Sequence, residues 1–376
     1  MKILQLLPAS ILALSCCNDA AQARNIVTTN DGIAIATTNQ SGLRRSLVTY
    51  DANTSQQDVH QFSNLPNTIR GFDDVALDSD AMAQDGLVAF AIDASSGLVC
   101  SFNLSARPPP STRRGEVSLQ LIGCTTQRVS TSPFVGIDAQ RGTLVVSGGT
   151  GGVSTFRYDT STGRLSSRPT IRNQSLNEIG HPSVTLVSRN IAALCTDTRS
   201  GFGITIANIN QSARSLDRSR FFPVENTVNF KYTISPANFP CDSSMYFQNN
   251  GRSYLYVANG PVTVQNPRRN GSPTVVNVPN GFEALTVDVN SDRSIAVFGG
   301  VIQNGARSAY LELDISDPLN PKVVTMEVVS GQGRGRITGV ASAGQDIFYV
   351  FDDDSSSIGH ARIQQTLLED SKITVE

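Results

Sequence analysis

The chain has 376 residues, with 30 Lys and Arg against 32 Asp and Glu and a formal net charge of −2. Charged residues make up only 16% of it, against about 25% in ordinary soluble domains, which excludes a charge-rich disordered chain and a coiled coil. The near balance of charge excludes strong electrostatic binding to nucleic acid, and no apolar run reaches the roughly 18–20 residues that a membrane helix needs.

At the start of the chain, Met1-Lys2, the apolar stretch Ile3–Leu14 and the small-x-small triplet Ala21-Gln22-Ala23 read as a secretory signal over residues 1–23. The protein is therefore expected to be secreted, with one domain over residues 24–376. Four cysteines follow the signal: Cys100, Cys124, Cys195 and Cys241. They permit two disulfides in three connectivities, or four buried thiols. Cys100 with Cys124 is the favoured pair, because both fall in one expected sheet. No C-x-x-C spacing occurs, which argues against a thiolate zinc site. N-x-[ST] sequons begin at Asn39, Asn53, Asn103, Asn173, Asn210 and Asn270. They carry glycans only if a eukaryote secretes the chain.

Short β-type runs then recur, separated by Gly, Asn, Asp and Ser. One unit reads Phe134–Asp138, a turn at Ala139–Gly142, Thr143–Ser147, a Gly-rich turn, and Val153–Tyr158. Period-two alternation with links of a few residues predicts antiparallel strands. The second strand of each unit is the clearest: Gly32–Ala36, Gly86–Phe90, Thr143–Ser147, Asn190–Leu194, Tyr254–Ala258, Ser294–Phe298 and Asp346–Val350. These starts are about 52 residues apart on average. Third strands are expected at Leu47–Tyr50, Leu98–Phe102, Val153–Tyr158, Ile204–Ile209, Ala309–Ile315 and His360–Ile363, and the unit near residue 262 is blurred. The expected fold is all-β, a seven-bladed β-propeller of four-stranded antiparallel blades; the competing architecture is a two-domain β-sandwich array. Two closures of the ring stand open: Lys372–Val375 completes the last blade, or Asn25–Thr29 adds a strand to it. The basic segments Ala106–Arg114, Ser212–Arg220 and Asn266–Pro273 are expected as exposed loops, solvated or offered to an acidic partner.

The segment Ser147–Leu165 carries a Gly-rich turn, a V-S-x-F strand and a D-x-x-T-G-x-L turn. It resembles a blade of the lactonase-type propellers, which include 6-phosphogluconolactonase-like and carboxymuconate-cyclase-like proteins. Leu313–Lys322 is similar to the D-I-S-D-P-x-N-P segment of LVIVD-type propeller repeats. The resemblance implies a His, a Glu and an Arg around a central channel. Aligning the segments that lead into each first strand offers Asp73 or Asp74, His181, Asn238, Glu283 and Arg336. His181, Glu283 and Arg336 are the candidate catalytic set: Arg binds a carboxylate bidentately, and His or Glu moves the proton. Asp73, Asp74 and Asn238 are the candidate ligand-binding set. Gly180-His-Pro-Ser-Val184 reverses the family's P-H order. No G-x-S-x-G or H-E-x-x-H motif is present, and no metal or cofactor is implied.

Two functions follow. The first is a monomeric secreted module that binds a protein or carbohydrate through loops on one face. The alternative is a lactonase- or muconate-cyclase-like enzyme acting on a small carboxylated lactone at the channel.

Overall fold

The structure is a computed structural model. It describes residues 26–38, 40–83, 86–105, 117–129, 135–147, 153–169, 171–173, 183–188, 191–198, 201–208, 230–231, 243–249, 252–258, 262–265, 274–276, 278–279, 281–302, 307–329, 335–352 and 357–363. Every regular element among these residues is a β-strand, and none of them forms a helix long and apolar enough to cross a membrane.

The strands group into seven antiparallel sheets, each running through consecutive strands, and no sheet closes on itself. The first contains β1 (Ile26–Thr28), β2 (Ile33–Thr37), β3 (Ser46–Asp51) and β4 (Gln56–Gln61). The second contains β5 (Asp74–Ala83), β6 (Gly86–Asp93), β7 (Leu98–Ser105) and β8 (Ser118–Cys124). The third contains β9 (Gly136–Gln140), β10 (Thr143–Ser147), β11 (Val153–Arg157) and β12 (Ile171–Asn173). The fourth contains β13 (Val184–Ser188), β14 (Ile191–Thr198), β15 (Gly201–Asn208) and β16 (Phe230–Lys231). The fifth contains β17 (Ser243–Asn249), β18 (Arg252–Ala258), β19 (Val262–Gln265) and β20 (Thr274–Val275). The sixth contains β21 (Glu283–Asn290), β22 (Ile295–Ile302), β23 (Arg307–Asp314) and β24 (Lys322–Val328). The last has three strands among the described residues, β25 (Ile337–Ala343), β26 (Asp346–Phe351) and β27 (Gly359–Arg362).

The second strands lie where the alternation places them, β10 on the same residues and the others within a few. The first strands β5, β9, β13, β17, β21 and β25 begin within or just after the segments expected to lead into them. Each first strand packs on the next, β1 on β5, β5 on β9, β9 on β13, β13 on β17, β17 on β21 and β21 on β25, and β25 packs on β1.

Period-two alternation explains this packing, because successive side chains leave opposite faces of a strand. Along β10, Leu144 and Val146 join Val88, Phe90 and Ile92 of the second sheet. Val145 between them joins Val184, Leu186 and Leu194 of the fourth. A strand apolar on both faces thus cements two junctions, each fully buried aliphatic or aromatic side chain stabilising by about 1.5–3 kcal/mol. Burial then falls outward: β2 is buried throughout, whereas β4 (Gln-Gln-Asp-Val-His-Gln) is largely exposed. Polar outer strands protect an edge against further pairing.

Of the two closures open in the sequence, the one assigning Asn25–Thr29 to the last sheet is corrected. β1 pairs with β2, Val27 opposite Ile35. The junction between last and first sheets is made by side chains: Ile26, Ala36, Val48, Phe348, Val350 and Ile358 form one buried cluster. Residues 372–375 and the three basic segments fall outside the described residues.

Candidate functional site

Of the candidate catalytic set, Glu283 and Arg336 are among the described residues. His181 lies outside the described residues, as does Asn238. Glu283 opens β21, half-buried and opposite Val301, with a register shift just beyond it between Ala284 and Thr286. Arg336, just before β25, is committed to Asp352. Its Nε donates to Asp352 Oδ2 at 2.9 Å and its backbone N–H donates to Asp352 Oδ1 at 2.6 Å. The Asp352 N–H returns a bond of 3.0 Å to the Arg336 carbonyl. Asp352 therefore holds the guanidinium through Nε, and the Arg336 side chain is 42% exposed.

Asp73 and Asp74 serve the fold. Asp73 Oδ2 accepts from the Ala94 N–H at 2.6 Å; burial pushes its carboxyl up to about 6, and the Ala94 bond opposes that rise. Asp74 is fully buried, and its Oδ2 accepts from the Ile137 N–H of the third sheet at 2.7 Å. The same device recurs at two more junctions. Asp138 Oδ2 accepts from the Leu186 N–H at 2.6 Å, and Asp288 Oδ2 accepts from the Ser342 N–H at 2.6 Å. Each is a first-strand carboxylate holding the backbone of the next first strand. Burial dominates in both: it raises Asp288 and pushes Asp138 up to about 7. On the face that carries Asp74, Asp78 also points to the third sheet and accepts the Tyr158 hydroxyl. Burial first, then this bond, raises the Tyr158 pKa far above the usual phenol range.

Directly above Tyr158 the third sheet carries an open cleft of about 540 Å³, lined by Arg141, Gly142, Arg157, Tyr158, Asp159, Thr160 and Arg164. Its shape follows from two turns at one end of the sheet. Gln140 pairs with Thr143, so Arg141-Gly142 is a two-residue hairpin loop, and both residues take positive φ, 49° and 77°. Such loops favour Asn-Gly or Gly-Gly, since a side chain strains the left-handed backbone. The second turn is the D-x-x-T-G-x-L motif. Asp159 Oδ1 accepts from the Ser161 N–H at 2.8 Å and its hydroxyl at 2.5 Å, and the Gly163 N–H bonds the Asp159 carbonyl at 2.8 Å. These bonds to Ser161 hold the Asp159 carboxyl below its ordinary range. Arg157, at the end of β11, stands opposite Thr143 and donates from Nη1 to Thr143 Oγ1 at 2.7 Å. Arg141 Nε donates to Asp80 Oδ2 at 3.0 Å, an exposed pair. Three guanidiniums thus meet one lining carboxylate that its own turn already satisfies. Sequence reasoning singled out both turns and the strand between them but no arginine in them. The only signal was an Arg in the strained position of a two-residue loop.

Cys100 and Cys124 face each other across β7 and β8 and are disulfide-bonded. The side chain of Cys195 and the whole of Cys241 fall outside the description. Among the sequons, Asn53 is exposed, Asn103 is buried within β7, only the backbone of Asn173 is described, and Asn39, Asn210 and Asn270 lie outside the described residues. No group of three or more His, Cys, Asp or Glu among the described residues is placed to hold a metal ion.

No protein family matches this chain, and no curated protein matches it. Solved structures do. Raptor from Chaetomium thermophilum superposes with a TM-score of 0.56 at 12% identity, over 91% of this chain and 29% of that one. Hydrazine synthase from Kuenenia stuttgartiensis gives 0.59 at 14% identity, over 95% of this chain and 99% of that one. This chain spans less than a third of the Raptor chain. Identities this low speak to the fold alone, which is all-β and propeller-like.

Proposed function

We propose that this chain is a secreted seven-bladed β-propeller over residues 24–376 that binds a ligand through turns at one end of its blades. The cyclic packing of seven successive first strands, β25 returning to β1, supports the blade count. The disulfide suits an oxidising compartment. The observation that carries the binding reading is the ion pair of Arg336 with Asp352, which ties this guanidinium to a neighbour within the fold. A lactonase-like site needs that guanidinium for its substrate. Releasing it would leave the charge of Asp352, whose side chain is only 18% exposed, with the Arg336 backbone N–H alone.

The test is a lactone-hydrolysis screen on residues 24–376. Hydrolysis is expected at the buffer rate for the parent chain and for His181→Ala and Glu283→Ala. Turnover that both substitutions abolish would restore the lactonase-like reading.

A further inference from the structure

We propose that the cleft at the turn end of the third sheet is the ligand site, and that its ligand is an acidic oligosaccharide bound through carboxylate or sulfate groups. This rests on the binding reading above and names its ligand class.

Charge is the first argument. Arg141, Arg157 and Arg164 line one cleft with a single lining carboxylate, Asp159. That carboxylate is turned to its own loop, bonding Ser161 and Thr162. Arg141 is engaged through Nε alone, by an Asp80 that is itself 53% exposed. The Arg164 side chain is exposed, and its charge acts on the Asp159 carboxylate beside it. Guanidinium forks match planar or tetrahedral oxyanions with paired N–H donors. The second argument is the backbone. The Arg141 position is strained for a residue with a Cβ, and strain of this kind collects at functional positions. The third is size: about 540 Å³ lies within the range of small-ligand sites.

The surroundings favour a sugar over a peptide. Protein hot spots combine Arg with accessible Trp and Tyr anchors. The cleft offers guanidiniums and the Thr160 hydroxyl, while Tyr158 is buried beneath it. Among the described residues the one exposed large hydrophobic is Val59, on the first sheet.

Isothermal titration of residues 24–376, with the disulfide intact, tests this with four probes. These are an oligogalacturonate tetramer, a sulfated heparin tetrasaccharide, neutral maltotetraose and a Glu-rich octapeptide. Binding of either anionic sugar, weakened by added salt and about tenfold by Arg164→Ala, is expected. The preferred sugar tells carboxylate from sulfate. Arg307→Ala, on a distant exposed residue, should leave the affinity unchanged. Arg141→Asn separates recognition from folding. It suits the turn better, so thermal stability should hold or rise while affinity falls about tenfold. Four results would overturn the site: no anionic sugar binds, maltotetraose binds equally well, the peptide is preferred, or affinity ignores both arginine substitutions. Any of these with no lactone turnover sinks the site and spares the binding reading; His181-dependent turnover sinks that reading itself.

Discussion

Asp138 receives two backbone N–H bonds, from Leu186 and from Ala139, yet burial holds its carboxyl at about 7. Its pKa is higher folded than unfolded, so the folded state carries more protons between about pH 4 and 7. Its contribution to stability is therefore greatest below pH 4, falls as pH rises through that window, and stays low above 7. Asp73, at about 6, acts the same way over a narrower window. His60, lowered by burial, opposes them just below its ordinary pKa. The expected result is a steeper fall in urea midpoint from pH 5 to pH 8 in the parent chain than in Asp138→Asn. The variant should also be less stable at pH 5, because its amide turns an NH2 group, which cannot accept, toward one of the two N–H donors. A parent slope no steeper than the variant's would refute the assignment. A second consequence concerns sugar attachment. In a glycosylating host, mass spectrometry should find Asn53 modified and Asn103 bare. Asn103 is 8% exposed, and a glycan there would block the closure of β7 on its neighbours.

Turns and strand pairs carry the next set of expectations. The disulfide joins residues 24 apart across β7 and β8. On chain-entropy grounds its loss, by Cys100→Ser with Cys124→Ser, should cost about 3 kcal/mol in urea unfolding. Gly163 sits at φ 67°, and a Cβ there would lie 2.4 Å from Ile122 Cδ1 of the second sheet. Gly163→Ala should cost about 1–3 kcal/mol by strain and overpacking. At this scale the sequence was most readable. Val-rich second strands such as Thr143–Ser147 are buried on both faces, and their Gly-containing links bound them sharply. The fifth unit was blurred because β19 has four residues and β20 two. The cleft was not readable, because its arginines are brought together by register: Arg157 opposite Thr143, and Arg141 two residues before it. The bond of Arg336 to Asp352 was equally hidden, since it joins residues 16 apart, one just before β25 and one just after β26.

Among the described residues, sheets adhere to one another mainly through side-chain packing, with carboxylate-to-backbone bonds at several junctions. At the junction of last and first sheets, Phe348 meets Tyr50 edge-on at 6.0 Å, and His360 lies 5.2 Å from both rings. Its Nε2 is 2.8 Å from Asp346 Oδ1, and its Nδ1 is 3.4 Å from the Tyr50 hydroxyl. Tyr50 and His360 lie 310 positions apart in the sequence. Phe348→Ala should lower stability by about 3–5 kcal/mol, read from the urea midpoint. A loss no larger than that of an exposed substitution would mean that the junction bears little of the fold.

Among the described residues every ladder begins and ends inside its own sheet, as β1 with β2 does where the last sheet meets the first. The order in which the sheets are threaded is then separable from the way they assemble. A circularly permuted gene, fusing Ile363 to Ile26 through a flexible linker and starting instead between Gln61 and Asp74, would leave each hairpin intact.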